Sequence, residues 1–385
     1  MKKSLIVALI ALVCLSLGAV AQDNMRPIYT VLPQHNYFPN AIPFDPSAQL
    51  PQWTFDWTSS YNGRAYSSTI LGASALTSNF PTVIDVGLIP IEMVYGPNNG
   101  NMTFDPNAAG EFGTLSTTQM VNRSLIFQAL VDYNQGGTDI GKTQYEDAYM
   151  RGNFWGTVQT NSNYHLLLKT LLGPEQILTP PNSGPQEGHV IQTPYAPVPV
   201  GTADINWFDE QLQTIINKYS CSVIKEPCIS PNVLPLFVTY DVYLTSGGDN
   251  NCCIGGYHSA NGPAPNGQTY SYSTSITQAS NGRAIFAQDV SALAHELGEW
   301  IMDPFVVNAS PCPDNSILEV GDPLELDPTF GSYPYTVNGF TYHPQDLVYI
   351  SWFGAPQSTG LSVWNGVPTN VVTFQNEILK VCQTN

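Results

Sequence analysis

The chain has 385 residues, with 30 Asp and Glu against 12 Lys and Arg and a formal net charge of −18. A surface this acidic repels phosphate backbones and anionic lipid, which argues against nucleic-acid and membrane partners. Charged residues are only 11% of the sequence, while Tyr, Asn, Thr, Ser, Gly and Pro are abundant, a composition that suits a strand- and loop-rich extracellular protein better than a helical one.

Residues 1–21 read as a secretory signal peptide: Lys2 and Lys3 precede a long apolar run, and Ala19-Val20-Ala21 forms a small-residue cleavage site. The run is short for a membrane span and no second one follows. Removal of the peptide leaves 364 residues and takes the charge from −18 to −20. The mature protein is therefore expected outside the cell or in the periplasm. It is long enough for one large domain or two ordinary ones. Cys14 leaves with the peptide. Six cysteines remain, at 221, 228, 252, 253, 312 and 382, and an even count in an exported chain predicts three disulfides. Cys221 with Cys228, and Cys312 with Cys382, are the pairings guessed here from the fifteen that six cysteines allow.

In chain order, residues 22–60 read as extended segments and loops. "TVIDVGLIPIEMVY" (82–95) reads as a strand buried on both faces. The spacing of Met120, Leu125, Ile126, Leu130 and Val131 predicts a helix over 114–133, and 143–158 predicts a shorter one. "YHLLLKTLL" (164–172) fits a strand or a short helix. Residues 174–200 hold seven prolines and exclude a regular helix or a central strand. This gives an N-terminal α+β region over 22–173, a Pro-rich connection over 174–200 and a C-terminal region over 201–385. In the last, 204–220 predicts a helix capped by Asp204, and 233–245 and 268–277 predict strands. Residues 289–303 predict a helix capped by Asp289 or Ser291 and stopped by Pro304. The fold class expected is α+β, a mixed strand-rich body with the 289–303 helix packed on a sheet that includes 233–245. The N-terminal half should pack on that body, because the Pro-rich stretch is too short and too apolar for a free linker.

The chemistry gathers around "HELGEWIMDP" (295–304). Residues four apart share a helix face, so His295 and Glu299 project together and can reach one cation. Glu296 is one step round and can face a water on the same cation, as the base of an HExxH peptidase does. Glu319 and Asp322, in "ILEVGDPLELD", are the nearest candidates for a further ligand, with Glu325 and Asp327 beyond them. His258, in "CCIGGYHSANG", is a ligand or an oxyanion donor, and His343 is a further contributor. Each has a plainer reading: a hydrogen-bonded His–Glu pair, a solvated acidic turn, a helix end at Asp303, a loop histidine. His35, His165 and His189 read as structural. A carboxylate-rich set hardens the site and leaves calcium, manganese and iron as alternatives to zinc.

"GYHSA" (256–260), "AHELGEWIMDP" (294–304) and "LEVGDPLE" (318–325), in that order, resemble a family of secreted bacterial and fungal HExxE metallopeptidase-like proteins. More distantly they are similar to the plant phosphate-induced/Exordium family. The resemblance covers about residues 235–325 and extends to 385. It implies a zincin-like active-site helix, zinc at His295 and Glu299 with Asp322 or Glu319, and Glu296 and His258 in catalysis on a peptide or protein substrate. Pro323 stands where the plant proteins commonly carry a cysteine, so their disulfide arrangement does not transfer. The alternative expectation is a non-catalytic extracellular protein in which the same residues hold a structural cation and Tyr and Trp bind a wall polymer.

Overall fold

The computed structural model describes residues 28–31, 49–135, 138–193, 196–225, 228–248, 252–277, 287–312, 316–324, 334–355, 370–380 and 382. The signal-peptide segment, Glu325 and Asp327 lie outside the described residues.

One eleven-stranded sheet organises the chain. At its centre Val233–Tyr240 runs parallel to Pro81–Val94 on one side and to Gln268–Ser275 on the other, with Leu236 opposite both Leu88 and Ser271. Cys252–Asn261 lies antiparallel to Gln268–Ser275, placing His258 opposite Ser271. Val242–Thr245, Val200–Asp204 and Val190–Ile191 continue the sheet outward. His165–Leu172, a strand rather than a helix, runs parallel to Pro81–Leu88. Strands from before and after the proline-rich segment thus share one sheet, and the segment itself supplies two short strands, Gln176–Leu178 and Val190–Ile191.

Successive residues of a strand point to opposite faces. Leu234, Leu236 and Val238 enter one core while Phe237 enters another. Both faces are covered, which is why this strand reads as an unbroken apolar run. Helix Ile205–Lys218 covers the Phe237 face with Trp207, Phe208, Leu212, Ile215 and Ile216. Its N-cap is Asp204, whose carboxylate accepts from the N–H groups of Asn206 and Trp207 at 3.0 and 3.2 Å. The other face carries helices Tyr145–Asn153 and Ser291–Met302 in the larger core. The body is therefore α+β and strand-rich, with the helix that holds His295 packed on the sheet.

Four expectations change. Residues 114–133 are not one helix: Ser116 caps a short helix over Thr117–Asn122 with Gln119 in a capping box. After it the consecutive residues Leu125, Ile126 and Phe127 are all buried, and Val131–Gln135 pairs with Thr138–Thr143 as a hairpin. The apolar period there reflects a turn packed on all sides and then a strand. The first part of Pro81–Val94 has one open face: Val83 is 53% exposed while its neighbours Thr82 and Ile84, on the opposite face, are buried. The 233–245 run breaks at Asp241, which adopts a left-handed φ of 50°. Lastly, neither Asp289 nor Ser291 caps the last helix. Val290 occupies the cap position, and the Asp289 carboxylate instead binds His343 through its N–H at 2.8 Å and its Nδ1 at 2.6 Å.

The cysteines pair as Cys221–Cys228, Cys252–Cys253 and Cys312–Cys382. Among the described residues no helix is long and apolar enough to cross a membrane.

Candidate metal centre

Three segments converge beneath the sheet. Helix Ser291–Met302 is buried along its whole length. It packs on strands Cys252–Asn261 and Gln268–Ser275, and against helix Tyr145–Asn153 and strand Ala65–Leu71. Leu293, Leu297, Trp300, Ile301 and Met302 fill the core around it. The face that remains carries His295, Glu296 and Glu299. Gly298 is required by close packing, since a Cβ there would stand 2.6 Å from Leu347 Cδ1.

Strand Cys252–Asn261 contributes His258. Gly256, two residues earlier and so on the same face, leaves the space that Glu296 occupies: a Cβ on Gly256 would lie 2.7 Å from Glu296 Cγ and Oε1. The loop 318–322 contributes Glu319 and Asp322. Its Gly321 presses against the His295 ring, where no Cβ fits. Val348 N–H donates to the Val320 carbonyl, and Gln345 Nε2 donates to the Gly321 carbonyl, both at 2.9 Å, so the loop is fixed from below.

The side chains form two overlapping donor sets, His258–Glu299–Glu319 and His295–Glu296–Glu299, each with its ligand atoms within 4.8 Å of one another. Glu299 belongs to both. Its Oε1 lies 3.0 Å from His295 Nε2 and accepts from the N–H groups of Gly321 at 3.0 Å and Asp322 at 3.3 Å. Its Oε2 lies 3.9 Å from His258 Nδ1, and Glu296 Oε2 is 3.4 Å from the same nitrogen. Asp322 Oδ1 stands 3.6 Å from His295 Nε2, and its side chain is 36% exposed while the other five are buried.

Burial dominates the electrostatics. It pushes His258 down to about 4, against the pull of Glu299, so the imidazole is neutral at pH 7. It pushes Glu319 well above the carboxylate range, aided by Glu299, Asp303 and Asp322. Asp303 is pushed up to about 7 by the same desolvation. Burial also acts to raise Glu299, but His295, by charge and hydrogen bond, and His258 hold it below its ordinary value. Desolvated carboxylates crowded beside one another repel unless a cation or a shared proton lies between them. The donor set therefore fits a divalent cation: nitrogen and oxygen ligands at one point, supplied by a strand, a helix and a loop.

The structure brings together His258, His295, Glu296, Glu299 and Glu319, with Asp322 at the solvent edge. His343 is not among them, because it is engaged by Asp289 at the start of the helix. Two acids went unrecognised in the sequence. Asp303 is more than a helix end: its carbonyl lies 3.3 Å from His258 Nε2, and its carboxylate accepts from Val307 and Asn308 N–H at 2.9 and 3.0 Å. Its spacing of eight from His295, two helical turns, was the available signal. Glu146, in "QYEDAYM", is wholly buried against Gly298 with no hydrogen-bond partner for either oxygen, and burial raises it strongly. Comparison with known protein families, curated proteins and solved structures gives no match for this chain.

Proposed function

We propose that the protein is a secreted metal-dependent hydrolase, a zinc peptidase in its chemistry, built on the zincin-like helix Ser291–Met302. The observation that carries this reading is the position of Glu296. Its carboxylate lies inside the ligand cluster, 3.4 Å from His258 Nδ1, where a purely structural site needs no base. His295 and Glu299 would hold the ion from one helix, with Glu319 and His258 closing the set. Zinc held there would supply Lewis acidity toward a water and a carbonyl. Glu296 would be the base that takes the proton from the attacking water and returns it to the leaving amine. Asp322, the partly exposed member, marks the side from which a peptide approaches. The resemblance of 294–304 and 318–325 to the HExxE proteins points the same way, and the apolar run with its cleavage site at 19–21 supports export.

One observation favours a second reading, a structural cation in a non-catalytic extracellular protein. Five of the six donors are buried, and four protein ligands would close a zinc site. Metal analysis of the mature protein beside a His295→Ala/Glu299→Ala variant, followed by a peptidase assay of Glu296→Gln, separates the two. About one zinc per chain, lost in the double variant, together with turnover lost in Glu296→Gln at full metal content, supports the hydrolase. Stoichiometric metal without turnover in the wild-type protein supports the structural cation, and no metal in either protein sinks both.

A further inference from the structure

The strand that carries His258 is flanked unequally. On one side Tyr257 and His258 pair with Tyr272 and Ser271 of Gln268–Ser275, and Ile254 pairs with Leu244 of Val242–Thr245. The same three residues also pair with Ile28–Val31: Ile254 with Ile28, Tyr257 with Thr30 and His258 with Val31. A strand residue has one neighbour on each side within a sheet. Ile28–Val31 therefore lies along the opposite edge of Cys252–Asn261. Among the described residues it pairs with no other strand, so it is the outermost strand at the end of the sheet that carries the metal centre.

This outer strand is short and separable. It covers 4 residues against the 10 of its partner, and its register shifts between Ile28 and Thr30. Pro27 and Pro33 bracket it in the sequence, and proline cannot donate to a ladder. The next described strand, Gln52–Thr58, pairs with Ala65–Leu71 and not with this sheet. Ile28–Val31 can thus leave without unpairing any other strand. Its departure would bare the backbone of 254–258 at the level of His258, where Gly256 lies directly against Glu296. An unpaired edge takes up an extended peptide through main-chain hydrogen bonds. The chain's own segment shows that this edge accommodates one. We infer that the outer edge of Cys252–Asn261 is a binding edge for an extended peptide, and that Ile28–Val31 is a strap that occupies it until such a peptide takes its place. That the peptide is the substrate rests on the proposed function; that the edge accepts one does not.

The test uses the mature protein and a Tyr29→Pro/Thr30→Pro variant, which removes both central donors of the strap. The probe is acetyl-Pro-Ile-Tyr-Thr-Val-Leu-amide, a copy of residues 27–32, titrated calorimetrically. A strap lowers the apparent affinity for a competing peptide by the fraction of molecules in which the edge is open. The variant should therefore bind the probe at least about tenfold more tightly than wild type. Equal affinity in the two proteins, or binding by neither, would overturn the inference. If the variant fails to fold, amide hydrogen exchange of the wild-type protein decides. The amides of 254–258 that face the strap should exchange at least about tenfold faster than those that face Gln268–Ser275, and equal protection on the two sides would sink the strap. A peptidase assay of both proteins separates this inference from the proposed function. Turnover that rises in the variant supports both, whereas tighter probe binding with no turnover in either protein keeps the binding edge and removes the hydrolase.

Discussion

His258 and Asp303 share a hydrogen bond that decides which imidazole nitrogen faces the acids. Nε2 lies 3.3 Å from the Asp303 carbonyl, which only accepts, so Nε2 carries the proton. The Nδ1 lone pair is left toward Glu296 and Glu299, 3.4 and 3.9 Å away. A neutral imidazole with its other nitrogen tied to a backbone carbonyl is the arrangement in which histidine binds metals.

With His258 as a ligand of the proposed site, His258→Gln should weaken metal binding by at least about 10–100-fold, the scale on which even the outer partners of ligands act. Competition against a fluorescent zinc chelator measures it. An unchanged affinity would remove His258 from the ligand set.

Gly256→Ala tests the space that Glu296 occupies. The new methyl would meet Glu296 Cγ and Oε1 at 2.7 Å, in a strand hydrogen-bonded on both sides. Overpacking of this kind costs roughly 1–3 kcal/mol. The variant should unfold at lower denaturant concentration and, on the proposed function, lose turnover while keeping its metal, since the proposed base moves and the His295–Glu299 pair does not.

For Gly298→Ala two effects oppose. The helix gains about 1 kcal/mol in propensity, but the added methyl stands 2.6 Å from buried Leu347, at an overpacking cost of roughly 1–3 kcal/mol. Net destabilisation is expected, partly reversed by Leu347→Val in the same chain. If Leu347→Val gives no relief, the cost comes from elsewhere, with Glu146 Oε2 at 3.4 Å the next neighbour.

Asp241 carries a pH dependence. Burial pushes it up to about 6, although Thr277 donates to it from N–H at 2.9 Å and from Oγ1 at 3.1 Å. The folded state thus binds this proton more tightly than the unfolded chain. The stability it contributes is complete below about pH 4 and is lost as the pH rises through about 6. Asp241→Asn keeps the Oδ1 acceptor, suits the positive φ and removes the charge. Relative to wild type it should gain up to roughly 3 kcal/mol between pH 4 and 7, at about 1.4 kcal/mol per unit. Urea unfolding of both proteins at pH 4.5 and 7.5 reads the difference, and an equal difference at both would refute the assignment.

The Cys312–Cys382 bridge spans 70 residues. By loop-closure entropy its replacement with a serine pair should cost about 4 kcal/mol. Because Cys312 follows the site helix closely, metal affinity should fall with it. Denaturant titration with metal present and absent separates the two losses.

The pairing of His295 with Glu299 was legible because helical spacing is a local property: four residues make about one turn whatever packs around them. Asp204 as a cap and the strand at 233–240 were legible for similar reasons of local pattern, whereas the bridges Cys221–Cys228 and Cys312–Cys382 were guesses among fifteen pairings that the structure happens to show. The expected helix over 114–133 failed because periodicity cannot distinguish one buried helix face from a turn packed on several sides. Asp303 passed for a helix end because the sequence cannot show that its carbonyl meets a strand 45 residues earlier. His343 was misassigned because the partner it takes, Asp289, lies 54 residues away.

What the sequence determined by itself was which residues share a helix face or a strand. What only the tertiary structure decided was which of them meet. The antiparallel register of Cys252–Asn261 turns His258 toward the helix, and the glycines at 256, 298 and 321 let three segments approach within side-chain reach. Closing the N-terminal helix Tyr145–Asn153 over them removes water. That desolvation, a property of no single segment, makes the cluster of buried histidines and crowded carboxylates one that could hold a cation.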